Sequence, residues 1–265
     1  MEKLNKNENY IIEFYNRTNE DERFNSKAIK VEFLTTMKYI HTNLKRKMKI
    51  LEIGAGTGAY SIPLAKEGYD VTAIELVEKK LNILKDKSQN LSNLHAFQGD
   101  ALNLSNFENH SFDMVLVLGP MYHLFTKNEQ IKAILEAIRV CKKGGYLMFA
   151  YLTHSTIVWD YGIIHQNISL MTKTLLDKTG RIKSVPKEIF NSFFVEDFNK
   201  LFKKTRTRFI KNVALDSVAY SLGKEFIEKL DEEQYQNYIN WHYNTCERLD
   251  QLGLSSHILY ICKKI

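Results

Sequence analysis

The feature that most limits how this 265-residue chain can fold is an alternation of strand and helix signals running from residue 48 to residue 151. Met48–Ile53 (MKILEI) reads as a strand, Thr57–Glu67 as a helix and Val71–Ile74 as a second strand. Val77–Ser88 reads as a helix and Leu94–Phe97 as a short strand. Phe112–Leu118 (FDMVLVL) is an unbroken apolar run, the signature of a strand covered on both faces. Thr126 and Glu129 form a capping-box pattern ahead of Ile131, Ile134, Leu135 and Ile138, which recur at helical spacing. Gly144-Gly145 closes that unit, and Tyr146–Tyr151 is a fifth strand. Repeated β-α-β units predict a mostly parallel sheet with right-handed crossovers and helices on both faces.

Outside this stretch the pattern changes. Residues 1–44 form a leader, in which Ser26 caps a helix carrying Ile29, Phe33, Met37 and Ile40. The preceding YNRTNEDERF has no clear period. Residues 153–204 read as helical and aromatic-rich, Arg206–Val213 as a sixth strand, 223–252 as one long helical pattern and His257–Cys262 as the last strand. With no internal repeat and no flexible linker, we read 1–265 as one domain: an N-terminal cap (1–44), a core (45–152), helical cover segments (153–204 and 217–254) and two closing strands (205–216 and 255–265).

Composition excludes several classes. The chain is 44% hydrophobic and 26% charged, with three prolines, which is the profile of a folded globular protein. No apolar run reaches the roughly 18 residues that span a bilayer. MEKLNKNENY lacks the apolar stretch of a secretory signal. A cytoplasmic protein without a membrane segment is expected. Cys141, Cys246 and Cys262 are odd in number and widely spaced, so they read as buried reduced thiols rather than a disulfide framework or a zinc site. The net charge of +6 is spread along the chain, and its densest stretch, Lys203–Arg208, reads as a solvated face. A nucleic-acid partner is not expected, and nothing in the sequence sets an oligomeric state.

In a sheet of this kind, ligands bind beyond the carboxyl ends of the strands. The first strand runs into Glu52-Ile53-Gly54-Ala55-Gly56-Thr57-Gly58, a loop whose glycines permit positive φ and close approach of a ligand. Ala59 completes the relaxed dinucleotide pattern, so a nicotinamide dehydrogenase stays open at this point. Glu75 ends the second strand, where a carboxylate can accept both ribose hydroxyls. Asp100 follows the third strand in Gln98-Gly99-Asp100-Ala101, where a carboxylate can accept an adenine amino group. No lysine or arginine lies between the loop and Lys66, which suits a cationic ligand better than a pyrophosphate.

The set E-I-G-A-G-T-G, V-T-A-I-E, Q-G-D-A, F-D-M-V-L and R-V-C-K-K-G-G resembles, in order and spacing over residues 48–151, the class I S-adenosylmethionine-dependent methyltransferases. The ending S-S-H-I-L-Y-I-C-K-K resembles that of a small-molecule branch of the same family. The resemblance implies an α/β, doubly wound, Rossmann-like sheet of seven strands, mostly parallel with an antiparallel last strand, under a helical cap. It implies S-adenosyl-L-methionine as cofactor and S-adenosyl-L-homocysteine as product. Gly54, Gly56 and Gly58 would line the methionine and ribose, and Glu52 would lie near the methionine ammonium. Glu75 would hold the ribose hydroxyls and Leu76 would pack on adenine. Asp100, with Ala101 beside it, would hold the adenine amino group, and Leu118 and Gly119 would face the sulfonium.

Methyl transfer from a sulfonium is an in-line displacement in which the protein mainly positions the acceptor. If a base is needed, the candidates that follow the fourth and fifth strands are Tyr122, His123, Tyr151 and His154; His123 and Tyr122 are the catalytic candidates carried forward. Gly119-Pro120-Met121-Tyr122 lacks the Asp or Asn that opens the tetrad of base-amine methyltransferases, which counts against that acceptor. No acidic cluster marks a magnesium site, so no metal is expected. Phe14, Tyr15, Trp159, Tyr161, Phe193, Phe194, Tyr235, Tyr238, Trp241 and Tyr243 are expected to supply the cover over a small-molecule acceptor, with Tyr15, in an irregular leader, folding over the cofactor. An RNA methyltransferase and a non-catalytic cofactor-binding protein are the alternatives.

Overall fold

The computed structural model describes residues 6–265, and only the backbone of Lys6, Asn7 and Glu20. Two helices come first, α1 (Lys6–Arg17) and α2 (Lys27–Asn43), joined by a 3-10 turn at Glu20–Asn25. The alternating core follows: β1 (Lys49–Ile53), α3 (Ser61–Lys66), β2 (Asp70–Glu75), α4 (Glu78–Lys87), β3 (Leu94–Gln98), β4 (Phe112–Val117), α5 (Lys127–Val140) and β5 (Cys141–Thr153). Beyond it lie α6 (His154–Ile157), a π-helical turn at Val158–Ile164, α7 (Ile168–Thr174), β6 (Ser192–Phe193), α8 (Val195–Lys200) and β7 (Thr207–Ala214). The chain closes with α9 (Lys224–Glu228), α10 (Glu232–Thr245), α11 (Leu249–Leu254) and β8 (His257–Lys264).

The strands form one sheet in the order β3-β2-β1-β4-β5-β8-β7. β1 to β5 are parallel, and β8 runs antiparallel to both β5 and β7. This is the expected seven-stranded layout. An eighth, two-residue strand, β6, pairs with the end of β5 at Leu152 and Thr153. The order reverses direction at β1, which sits between β2 and β4, and that switch point opens a crevice at the strand ends. β4 is buried almost throughout, as its apolar run predicts.

Local signals explain the boundaries. Thr126 and Glu129 form the expected capping box: Thr126 Oγ1 accepts from Glu129 N at 3.2 Å and Glu129 Oε2 accepts from Thr126 N at 2.9 Å. Leu135, expected on the buried face of that helix, is half exposed, and Ala133 and Ala137 take its place. The stretch 223–252 is three helices rather than one, because Asp231 and Gln234 form a second capping box that restarts the chain at α10. Ser26 caps α2, but the buried face of α2 is wider than the expected stripe. Ala28 and Val31 pack with Ala219, Ile227, Tyr235 and Ile239 in a second small core, while Met37 and Ile40 join the main core. The leader was expected to be irregular before Ser26; it contains α1, and Tyr15 sits in the last turn of that helix.

α1 is tied down by α4. Lys79 Nζ donates to the carbonyl of Asn16 at 2.7 Å and Lys80 Nζ to that of Thr18 at 2.8 Å. Lys87 pairs with Asp21 at 2.5 Å. Cations at the carboxyl end of a helix also suit its dipole. The result is an N-terminal strap drawn across the mouth of the crevice.

Candidate functional site

A cavity occupies the crevice, with about 1070 Å³ of empty volume including its mouth. The ends of the parallel strands build its floor. Glu52, Ile53, Gly54, Ala55, Gly56 and Thr57 line it from β1, and Glu75, Leu76 and Val77 from β2. Gly99, Asp100 and Ala101 line it after β3, and Leu118 and Gly119 after β4. The predicted cofactor residues are therefore brought together, with one exception. Gly58 does not line the cavity; a Cβ there would meet Leu84 Cδ1 at 2.4 Å, so this glycine, at φ +92, lets α3 close against α4. Gly56 is the opposite case: at φ +57 it has open space where a Cβ would stand.

The floor is acidic and internally braced. Glu75 Oε2 accepts from Gly56 N at 2.7 Å and Oε1 from Val77 N at 2.8 Å, so the carboxylate is clamped between the glycine loop and α4. Burial raises its pKa, against those N–H donors. Burial likewise pushes Glu52 up to about 8, opposed by hydrogen bonds from Ser61. Asp100 Oδ1 accepts from Leu102 N at 3.0 Å. Three carboxylates at the ends of three adjacent strands suit a ligand with an ammonium, a ribose and an amino-purine; the open face of Gly56 leaves room for its backbone approach.

The other half of the cavity is apolar and aromatic. Ile11 and Tyr15 reach in from α1, Phe24 from the 3-10 turn, Tyr60 from the start of α3, and Tyr122, His123 and Leu124 from the segment after β4. His123 Nδ1 donates to the Ile189 carbonyl at 2.9 Å, which leaves Nε2 to accept from the Tyr15 hydroxyl, also at 2.9 Å. Burial lowers His123 to about 4, so it is neutral and a weak base near pH 7. Burial drives Tyr122 well above its ordinary value, so its phenol keeps its proton. Tyr151 and His154 do not line the cavity: Tyr151 stacks on Phe198 at 3.9 Å, and His154 bonds Ser192 Oγ at 2.8 Å.

The expected aromatic cover is mostly elsewhere. Of the ten side chains, only Tyr15 lines the cavity, with Phe14 packed edge-on against it at 5.2 Å. Trp159, Tyr161 and Trp241 are partly exposed on the surface. Phe193 packs on Tyr151 and Phe198, Phe194 on His154, and Tyr235, Tyr238 and Tyr243 belong to the second small core.

Two cations also line the cavity, Arg23 and Lys80, although the loop itself has no basic neighbour. Arg23 belongs to a buried network that sequence reasoning missed. Its terminal nitrogen donates to Glu32 Oε2 at 2.6 Å and lies 3.3 Å from His257 Nε2. His257 Nδ1 donates to Asp216 Oδ2 at 2.6 Å. The other oxygen of Asp216 accepts from Ser255 Oγ and from the N–H groups of Ser256 and His257. Burial alone would lower the pKa of His257, but the carboxylates of Glu32 and Asp216 outweigh it and raise it. Glu32, Asp216 and His257 hold ligand-type atoms within 4.8 Å of one another, but Arg23 stands against this group and supplies its cation. The one sequence signal was a glutamate on the inward face of α2, one residue before Phe33.

Residues 50–145 match the profile of a methyltransferase domain. A putative methyltransferase, YqeM, of Bacillus subtilis is 32% identical over 112 residues, which are 42% of this chain and 45% of that protein. A demethylmenaquinone methyltransferase of Renibacterium salmoninarum is 36% identical over 108 residues, 41% of this chain and 43% of that one. The matched stretch thus spans under half the length of these curated relatives. A solved structure of an S-adenosylmethionine-dependent methyltransferase from Methanosarcina mazei shares the fold at a TM-score of 0.55 and 19% identity, over 86% of this chain and 97% of that one. Residues 50–145, which hold the glycine loop and the strand-end carboxylates, are thus a methyltransferase domain, and the chain shares the fold of solved S-adenosylmethionine-dependent methyltransferases.

Proposed function

We propose that the protein transfers the methyl group of S-adenosylmethionine to a small-molecule acceptor by in-line displacement, in the cytoplasm. The observation that carries this reading is a cavity with two chemically distinct halves, one floored by Glu52, Glu75 and Asp100 and one walled by Phe24, Tyr60, Tyr122 and Leu124. When bound, the donor supplies an electrophilic methyl on a sulfonium. Glu75 binds the ribose hydroxyls, Asp100 the adenine amino group and Glu52 the methionine ammonium. Leu118 and Gly119 line the cavity after β4 and would face the sulfonium, and an acceptor would be held against the aromatic wall. Tyr15, fixed by His123, and the strap of α1 exclude water from that line. Several similar proteins are named demethylmenaquinone methyltransferases, which puts planar hydroxy-aromatic compounds among the acceptors to test. An RNA helix needs an open basic face, whereas Ile11 and Tyr15 of α1 and Phe24 of the 3-10 turn wall this cavity.

The reading is tested by calorimetric titration with S-adenosylhomocysteine. One molecule should bind per chain. Free Glu52 holds its proton up to about pH 8, and an ammonium placed beside it favours the carboxylate. Binding therefore releases a proton below that pH, and affinity should climb from about pH 6 to pH 8 by up to about tenfold per unit. A flat profile would take Glu52 away from the ammonium; no binding at any pH would end the methyltransferase reading.

A further inference from the structure

We propose that the π-helical turn at Val158–Ile164, together with α7 and the hairpin that follows it, is a docking surface for an anionic lipid bilayer. The surface stands apart from the reading of the cavity; that it brings a lipid-soluble acceptor toward the site rests on the methyltransferase reading.

Trp159, Ile163 and Ile164 are 39%, 46% and 49% exposed. They stand four and five residues apart, about one turn of a helix whose N–H groups reach back five residues, so they share a face. The inner side of the turn is occupied. Gly162 is buried there, and a Cβ on it would meet Met171 Sδ at 3.0 Å and Ile168 Cδ1 at 3.2 Å, so α7 packs on the turn through this glycine. α7 itself adds Leu170, 52% exposed beside the buried Met171. Single exposed apolar side chains are ordinary, but four large ones between residues 159 and 170 make a concentrated patch.

The charge of the same stretch points to the partner. Residues 158–187 hold five lysines and arginines and two aspartates, so thirty residues carry +3 of the chain's net +6. Lys173 follows Leu170 by three residues, on the same face of α7. Lys183 N donates to the Leu175 carbonyl at 2.7 Å and Leu176 pairs with Ile182, which folds a hairpin at the end of α7 with Lys178 in its turn. Among the described residues, the ammonium groups of Lys173, Lys178 and Lys183 have no carboxylate partner. The acids of the stretch are turned inward or half-buried. Asp177 Oδ1 accepts from Thr179 N and Oγ1, both at 2.7 Å, and from Arg181 N at 3.0 Å, and Asp160 is half-buried.

Exposed Trp and Ile flanked by unpaired lysines suit the boundary of an anionic bilayer, where the apolar side chains enter the headgroup region and the lysines meet the lipid phosphates. A second copy of the chain fits less well, because a two-fold interface would set this positive patch against itself. RNA would pair with the lysines and leave the apolar face in water. Among the described residues no helix is long and apolar enough to cross a membrane, so the contact is with the bilayer surface. The same piece of chain continues to Ile189, whose carbonyl holds His123, and to Phe190, which packs edge-on against Phe14 of α1 at 5.4 Å. The docking face and one wall of the cavity are therefore built from continuous chain.

The test is sedimentation of the full chain with vesicles of phosphatidylglycerol and phosphatidylcholine in equal parts, and with vesicles of phosphatidylcholine alone. The mixed vesicles should bind at least about tenfold tighter. Each lysine near such a surface contributes about fivefold, so Lys173→Gln/Lys178→Gln/Lys183→Gln should weaken binding about a hundredfold. Ile163→Ser/Ile164→Ser should weaken it at least about tenfold. Both variants should keep S-adenosylhomocysteine binding within about threefold, which also shows that they fold. In Trp241→Phe, where Trp159 is the only tryptophan left, fluorescence should shift to the blue on the mixed vesicles and be quenched by brominated lipid. No binding to the mixed vesicles, equal binding to both kinds, or full binding by the lysine variant would overturn the proposal. So would a dimer in sedimentation equilibrium that Ile163→Ser/Ile164→Ser dissociates, because a second copy would then cover the face. If S-adenosylhomocysteine does not bind while the vesicle binding and its dependence on the lysines persist, the methyltransferase reading falls and the docking surface stands.

Discussion

A chain lacking residues 1–24 is expected to keep its sheet and lose its activity. None of the buried members of the main core comes from this segment, so the far-ultraviolet circular dichroism should be retained. What goes is the strap: Ile11, Tyr15, Arg23 and Phe24 leave the cavity, and Lys79 and Lys80 lose the carbonyls of Asn16 and Thr18. The cavity then opens to water and the acceptor loses one wall. Affinity for S-adenosylhomocysteine should fall at least about tenfold, and turnover about a hundredfold or more, the scale on which misplacing a reactant acts. Full turnover by the truncated chain would show that α1 and the 3-10 turn are no part of the site.

The Glu75→Ala variant should show the second large effect. This carboxylate is nearly buried and accepts two backbone hydrogen bonds, so it shapes the loop as well as offering oxygens to a ribose. Hydrogen bonds to a charged group contribute about 1.5–3 kcal/mol each, so affinity for both the donor and its demethylated product should drop at least about tenfold. The N–H groups of Gly56 and Val77 lose their acceptor, so the melting temperature should fall as well. A folded variant with unchanged affinity would remove Glu75 from the ribose.

The residues that proved legible in the sequence are those whose environment is set locally or by the sheet. β1, β2 and β4 announce themselves as apolar runs, and the carboxylates that follow β1 to β3 arrive in one cavity because parallel strands end on one side. The antiparallel β8 was likewise visible from the end of the chain. α1 was missed because twelve residues make a marginal helix alone, and its support comes from Lys79 and Lys80 across the fold. The charged network was missed for the same reason. Glu32 looks like a solvent residue until Arg23, from the turn before its helix, and His257, far along the chain, close on it. The cover was misplaced because aromatic content shows that a segment buries apolar area, without showing which neighbour it buries it against. Trp159 and Trp241 ended on the surface, while Phe24 and Tyr60, unremarked in the sequence, face the cavity. Burial, which the sequence does not reveal, also lowers the pKa of His123 and raises that of Tyr122.

The most direct test of the central claim is transfer of a labelled methyl group. The protein is incubated with S-adenosylmethionine carrying a tritiated methyl and with a cell extract separated into small-molecule, RNA and protein fractions. The account predicts label in the small-molecule fraction, dependent on Glu75. Label confined to RNA or protein, or no label in any fraction from a protein that binds the donor, would contradict it.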